Sequence, residues 1–225
     1  MLGVVIPTYN EADNIRELIK LIRDYVPEVK ILVIDDDSRD GTAEIARRLG
    51  AITFVRKGEK GLGSALRFGL LKAYELGLVR VATMDADLSH DPYYLPSMFK
   101  ASENADLVIG SRYIKGGKIE NWPLKRRVIS SGANLIVRLL LRSPIHDNTS
   151  GYRVYSTSAI EAVKDCITAG GYEFQICAVY QILRRGLKVV EVPIVFKDRE
   201  KGKSKLNSEK MMKWLLHVLK LSLRF

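Results

Sequence analysis

Over residues 3–9, 31–34, 52–55, 79–84 and 105–111 the chain reads as short apolar runs rich in Val and Ile, each closed by a polar or turn-forming residue. Such runs are the pattern of strands buried on both faces. Between them Ile15, Leu18, Ile19 and Ile22 recur at helical spacing, a second helix starts near Asp40-Gly41-Thr42, and residues 61–74 form a third. This alternation predicts an α/β protein with a Rossmann-like, mainly parallel sheet flanked by helices and joined by right-handed crossovers. Further on, Asp91-Pro92 opens a helix to about Ala101, residues 125–142 pattern as an amphipathic helix with a basic face, and a strand lies near Val154-Tyr155. Residues 171–185 read as a helix and 188–196 as strand segments broken at Pro193. The stretch KGGKIENWP, residues 115–123, reads as a mobile surface loop.

Composition narrows this picture. At 225 residues and 47% hydrophobic content the chain suits one well-buried domain. No run of eighteen uncharged apolar residues occurs, and the N-terminus has neither a basic leader nor a long apolar segment, so the expectation is a cytosolic protein. Cys166 and Cys177 have no metal or redox spacing and read as core thiols rather than ligands or a disulfide. The net charge of +10 is uneven: residues 184–225 hold 12 Lys or Arg against 4 Asp or Glu, a bias that favours an anionic partner.

The candidate chemistry gathers where the strands end. Asp85 and Asp87, one residue apart after the run that ends near Met84, would face the same side of an extended chain. That edge is where open α/β sheets bind ligands, and two hard oxygen donors there suit Mg²⁺ or Mn²⁺ holding a diphosphate. Tyr9 with Glu11, and Asp35 to Asp37, end two neighbouring strands. Gly61-Leu62-Gly63 follows a charged loop and lacks a third glycine, so it reads as a loop-to-helix turn and not a dinucleotide fingerprint. His90 has no second His or Cys nearby and reads as a loop residue. Residues 197–206, KDREKGKSKL, form a charged segment with a glycine hinge, a candidate lid over phosphates.

The last segment, residues 208–225, carries Lys210, Lys213, His217, Lys220 and Arg224 as one narrow polar stripe on an otherwise apolar helix. Its length of about 27 Å nearly matches a bilayer core, but each charge near the centre would cost on the order of 2.5–3.5 kcal/mol. The helix therefore suits the membrane interface better than a span, with packing on the domain as its alternative. The expected division is 1–207 for the catalytic domain and 208–225 for a C-terminal amphipathic helix.

Taken together, IPTYNE (6–11), VIDDDSRDGT (33–42), KGLGSA (60–65), MDADLSHDP (84–92), GSRY (110–113), the GGKIENWP loop, TSGYR (149–153), GYEFQ (171–175) and DREKGKSKL (198–206) run in one order over almost the whole chain. This set resembles the dolichyl-phosphate mannosyltransferases of glycosyltransferase family 2, with the GT-A fold. The resemblance implies transfer from GDP-mannose to dolichyl or another polyprenyl phosphate, with inversion, by a peripheral enzyme on the cytosolic face of a membrane. It implies that Pro7, Tyr9, Glu11, Ile34 and Asp36 hold the nucleoside, with Asp85 and Ala86 beside it. Asp87 becomes the main metal ligand, assisted by Asp85 and by Ser89, which stands where some relatives carry Gln. Arg112, Arg199 and Lys205 become the basic groups around the phosphates, with Asp87, Arg112 and Arg199 serving the chemistry. The membrane surface and small membrane subunits are the further partners it allows. Competing readings are a UDP-glucose-dependent relative, a nucleotidyltransferase and a nucleic-acid-binding protein. The acidic strand ends speak against nucleic acid.

Overall fold

The computed structural model describes residues 1–198 and 208–223. The first half follows the hydrophobic pattern closely: β1 (Leu2–Thr8), α1 (Ala12–Tyr25), β2 (Lys30–Asp35), α2 (Thr42–Arg48), β3 (Ile52–Val55), α3 (Leu62–Glu75) and β4 (Arg80–Thr83). After β4 a 3-10 turn at Pro92–Tyr94 leads into α4 (Leu95–Ala101), and β5 (Leu107–Ser111) follows. The Asp91 side chain caps that turn by accepting the Tyr93 N–H at 2.9 Å, with Pro92 in the first position, where a missing N–H costs nothing. The second half adds β6 (Lys118–Glu120), α5 (Leu124–Leu140), β7 (Arg153–Ser156), α6 (Thr157–Val163), α7 (Phe174–Arg184), β8 (Val189–Pro193), β9 (Val195–Lys197) and α8 (Ser208–Ser222).

Seven strands form one sheet in the order β3-β2-β1-β4-β7-β5-β8. All its pairings are parallel except those of β7, which runs antiparallel to both β4 and β5. One core lies between the sheet and α3, α6 and α7, and the other between the sheet and α1 and α4. Ile15, Leu18, Ile19 and Ile22 of α1 are all buried, each contributing on the order of 1.5–3 kcal/mol. Because β1, β2 and β4 are parallel neighbours, their C-terminal ends open on the same sheet edge, which is why the acidic strand ends meet.

Three expectations are corrected. Residues 115–123 are not a free surface loop: β6 pairs in parallel with β9 in a two-stranded ribbon, and Trp122 is buried. Cys166 and Cys177 are not thiols but a disulfide, because the turn after α6 folds back on the first turn of α7 and brings the two Cα atoms to 5.9 Å. The strand before Asp85 ends at Thr83, and Leu88 takes a left-handed φ of 63°, so a bend rather than strand alternation orients the carboxylates.

At the C-terminus Val218 and Leu221 of α8 are buried with Val137 and Leu141 of the α5 end and Ile176 and Tyr180 of α7. Packing on the domain thus accounts for one side of α8. The outer side leaves Met212, Leu216, Leu219 and Leu223 exposed, and α5 leaves Leu124, Val128, Leu135 and Leu139 exposed. Among the described residues no helix is long and apolar enough to cross a membrane.

Candidate active site

At the β1–β2 edge the acidic residues divide into two kinds. Asp35 is fully buried and accepts from Thr8 Oγ1 (2.7 Å), Ser38 N–H (2.8 Å) and Ser38 Oγ (2.7 Å), so it ties two strand ends together. Asp36 sits nearer the surface, where Oδ1 accepts from Arg56 Nε at 2.8 Å and Oδ2 accepts the Gly61 N–H at 2.8 Å. Asp36 therefore fixes the entry to α3. That entry is also sewn to the loop before α7, since Gly63 N–H donates to Gly170 O at 2.9 Å. A Cβ on Gly63 would stand 2.3 Å from Ala169 O, a distance only glycine avoids.

Around this floor, Tyr9 is 44% exposed with Lys60 Nζ 5.4 Å from its ring centre, and Glu11 Oε2 accepts from Asn14 Nδ2 at 3.0 Å. Pro7 lies in register with Ile34, whose side chain is fully buried above Gly69. Any contact from Ile34 to a ligand would come from its backbone.

The bend after β4 holds the acidic pair. Asp87 Oδ1 accepts from both Ser89 Oγ (2.5 Å) and Ser89 N–H (3.1 Å), while Ala86 is buried beneath. Ser89 thus orients Asp87. The Asp85 side chain is 41% exposed, and its N–H donates to His90 Nδ1 at 3.0 Å. His90 lies in the bend, outside helix and strand, but it is buried, stacked on Tyr152 with ring centres 5.0 Å apart and edge-on to Phe196 at 5.5 Å. Burial pushes its pKa down despite the carboxylates of Asp85 and Asp87, so the ring is neutral near pH 7 and accepts through Nδ1.

On the β5 side Arg112 is buried and forked onto Asp147, with Nε to Oδ2 and Nη2 to Oδ1 both at 2.7 Å, and Nη2 also reaches Thr149 Oγ1 at 2.8 Å. Burial opposes the charge on Asp147, but the guanidinium and its hydrogen bonds outweigh that penalty and hold the carboxyl below its ordinary range. Much of the charge of Arg112 is thus answered by a carboxylate, although its guanidinium also feels Asp85. Arg126, at the start of α5, stacks 4.1 Å from the Trp122 ring centre and donates to Asp198 Oδ1 at 2.7 Å. Arg199 and Lys205, and nearly all of the candidate lid 197–206, lie outside the described residues.

The structure therefore brings Tyr9, Asp36, Asp85, Asp87 and Arg112 to one sheet edge. It adds Arg56, Trp122, Arg126, Asp147 and Gln175, none of which the sequence pattern singled out for a role. The available signals were the charge of Arg56 after β3 and the motifs GGKIENWP and GYEFQ, which contain Trp122 and Gln175. Among the described residues no three His, Cys, Asp or Glu side chains converge as a self-sufficient metal site. Two acidic side chains and a hydroxyl remain at the bend. This is a hard-oxygen donor set that fits Mg²⁺ or Mn²⁺ sharing its coordination with phosphate and water.

Residues 3–164 match the family described as Glycosyl transferase family 2. Over 90% of its length the chain is 41% identical to the undecaprenyl-phosphate mannosyltransferase of Micrococcus luteus, covering 86% of that protein. It is 38% identical over 98% of its length to the polyprenol monophosphomannose synthase of Mycolicibacterium smegmatis, also covering 86%. With the dolichol-phosphate mannosyltransferase of Pyrococcus furiosus it shares 39% identity over 98% of its own length and 63% of that protein. Among solved structures, the glucosyl-3-phosphoglycerate synthase of Mycobacterium tuberculosis, in complex with Mn²⁺, UDP and glucosyl-3-phosphoglycerate, superposes with a TM-score of 0.71 at 20% identity, covering 99% of this chain and 80% of that one. The sheet order, the acidic bend after β4 and a match over most of the chain lead to one conclusion: this protein is a glycosyltransferase of the GT-A fold and belongs to glycosyltransferase family 2.

Proposed function

We propose that the enzyme transfers mannose from GDP-mannose to a polyprenyl phosphate of the dolichyl type, with inversion, giving a β-mannosyl phosphate lipid. The observation that carries this reading is the 38–41% identity, over 90–98% of the chain, to three enzymes whose names specify mannose and a polyprenyl-type phosphate. The donor's nucleoside is assigned to the shelf of Pro7, Tyr9, Glu11, Asp36 and the Ile34 backbone, and its diphosphate to the bend at Asp85, Ala86 and Asp87.

Asp87, with Asp85 and Ser89 in support, would hold Mg²⁺ or Mn²⁺. The ion supplies charge stabilisation for a departing diphosphate. Ser89 keeps the Asp87 carboxylate turned to one side, and the His90 ring keeps the Asp85 backbone in place. Arg112, with Arg199 and Lys205 from the basic segment, would add positive potential around the phosphates. The acceptor phosphate, with a second pKa near about 6, is largely ionised at neutral pH, so direct attack needs no side-chain base. A neutral His90 already engaged through Nδ1 accords with that economy.

The exposed apolar sides of α5 and α8 suit a peripheral position on a membrane surface, which would bring the site to a lipid acceptor. Placement on the cytosolic face, and any small membrane subunits that share this surface, belong to the same proposal. The test is turnover of radiolabelled GDP-mannose and UDP-glucose with a short polyprenyl phosphate, with Mg²⁺, with Mn²⁺ and in excess EDTA. Metal-dependent mannolipid from GDP-mannose alone is expected. Glucolipid from UDP-glucose without mannolipid would overturn the assignment.

A further inference from the structure

Gln175 is the second residue of α7 and is only 4% exposed, yet one end of its carboxamide is unsatisfied. Its Oε1 is buried with no hydrogen-bond partner among the described residues, although the backbone carbonyl of the same residue accepts from Arg153 at 2.8 Å. An orphaned amide in a protein interior costs on the order of 1–3 kcal/mol, and such a group calls for an explanation. The other end of the amide faces an open space. Nε2 lies 3.4 Å from the position a Cβ would take on Gly151, and that same point is 3.5 Å from His90 Cε1 and 3.8 Å from Asp85 Oδ1.

The missing side chain of Gly151 therefore leaves a niche walled by the Gln175 amide nitrogen, an imidazole edge and a carboxylate. The ends of β4 and β7 bring the walls together. Thr83 pairs with Arg153 where β4 ends and β7 begins, and Thr83 Oγ1 donates to Gly151 O at 2.8 Å, which ties the segment just before β7 to the strand end that leads into the bend carrying Asp85. Asp85 and Gly151 are both partly exposed, which makes the niche reachable from solvent.

We infer that this niche receives a hydroxyl of the transferred sugar, and that Gln175 is a specificity-determining residue; the inference rests on the donor placement proposed above. The sheet order sets the distance. From β2, where the nucleoside is assigned, to β7 is three strand steps, about 14 Å, with the diphosphate bend on β4 between them. An extended nucleotide sugar lies across such a span with its hexose at the β7 end. The chemistry of the walls selects a hydroxyl. An oxygen seated there must accept from an amide N–H on one side and donate to a carboxylate on the other, which a sugar O–H does. Exchanging the amide's O and N leaves the match intact, since a hydroxyl both donates and accepts.

The experiment uses the full chain and whichever nucleotide sugar the wild type turns over, so that an error in the choice of mannose is seen first and separately. Gln175→Met keeps the volume and removes the amide. Gly151→Ala fills the niche with a methyl at ordinary contact distances and leaves the amide in place. Both variants are expected to bind the nucleoside diphosphate within twofold of wild type by calorimetry while losing at least tenfold in kcat/KM for the sugar nucleotide. With a set of monodeoxy sugar nucleotides, the wild type should reject one position strongly, and Gln175→Met should use that analogue as well as the parent. A loss shared equally by diphosphate and sugar nucleotide, or undiminished discrimination among the deoxy donors in Gln175→Met, would overturn the inference.

Discussion

The two sides of the catalytic edge are held together differently. On the β1–β4 side, acidic groups at parallel strand ends are fastened by nearby hydroxyls and backbone N–H groups, as Asp35 is by Thr8 and Ser38 and Asp87 is by Ser89. On the β5–β9 side, order comes from ion pairs between residues far apart in the chain: Arg112 with Asp147, and Arg126 with Asp198. The first arrangement fixes each carboxylate at its strand end through short, local contacts. The second consumes positive charge in structure, so the phosphate-facing role proposed for Arg199 and Lys205 falls to basic residues beyond Asp198. A substitution on the first side should therefore cost chemistry, and one on the second should cost stability before chemistry.

The sharpest way to break the contrast is Asp87→Ala. Its carboxylate accepts from Ser89, two residues on in the same bend, so melting should shift less than at Arg112, whereas mannosyl transfer should fall by on the order of 10³-fold if charge stabilisation at the diphosphate is lost. Activity assays over a metal titration, with calorimetric melting alongside, decide it. Near-normal turnover in excess EDTA would remove the metal from Asp87.

Arg112 gives the opposite result. Arg112→Ala leaves Asp147 charged and buried with its main partner gone, which should cost about 3–5 kcal/mol, while the paired change Arg112→Met with Asp147→Leu should recover much of that. Urea unfolding of the three proteins measures both. The pair also has a pH signature. The folded Asp147 pKa lies below the ordinary value of about 3.9, so its contribution is complete above that pH and is lost as pH falls through the folded pKa. The Asp147→Leu protein should lack that acid-side decline.

Legibility in the sequence divides along the same line. The strands β1 to β5 and their helices were readable because each is a continuous apolar run or a 3.6-period pattern within one segment, and the resemblance placed Asp85 and Asp87 without a structure. What escaped depends on distant partners. The three residues of β6 become a strand only through β9, far along the chain, so two glycines and a Pro made the segment look loose. The Cys166–Cys177 disulfide has a separation of eleven that matches no motif, and only the reversal between α6 and α7 brings the sulfurs together. His90 looked isolated because its neighbours Tyr152, just before β7, and Phe196, in β9, lie far along the chain. Arg112 was found as a basic residue at a strand end, but the carboxylate that engages it lies 35 residues on, inside the polar turn DNTSGYR.

A third prediction concerns α5 and α8, where the apolar surface is outside the fold rather than within it. Leu135, Leu139, Leu216 and Leu219 are 55, 70, 50 and 41% exposed, so replacing all four with Ser should leave melting nearly unchanged. Flotation with anionic liposomes should fall at least tenfold, because each leucine contributes apolar burial only when a membrane is present. Shortening the chain to residue 207 is a poorer test, since it would also strip Val218 and Leu221 from their packing against α5 and α7. Equal flotation by the tetra-substituted and wild-type chains would refute docking through this face.

The smallest effect is expected at Arg126 and Asp198, an ion pair whose side chains remain 32 and 23% exposed. Both partners are partly solvated, so a double-mutant cycle through Arg126→Ala and Asp198→Ala should give a coupling of only about 0.2–1 kcal/mol, and raising salt toward 1 M should erase most of it. Yet Asp198 is the last described residue before the basic segment, and Arg126 also covers Trp122 at the mouth of the site. Weak coupling to stability can then coexist with a larger effect on substrate capture. Arg126→Ala should raise KM for the lipid phosphate severalfold while leaving kcat within about twofold. Arg126→Lys should restore the ion pair but not the flat stacking on Trp122, and so recover only part of the loss. A KM for Arg126→Ala equal to that of wild type would show that this pair orders the ribbon and nothing more, placing it on the structural side of the contrast with Arg112.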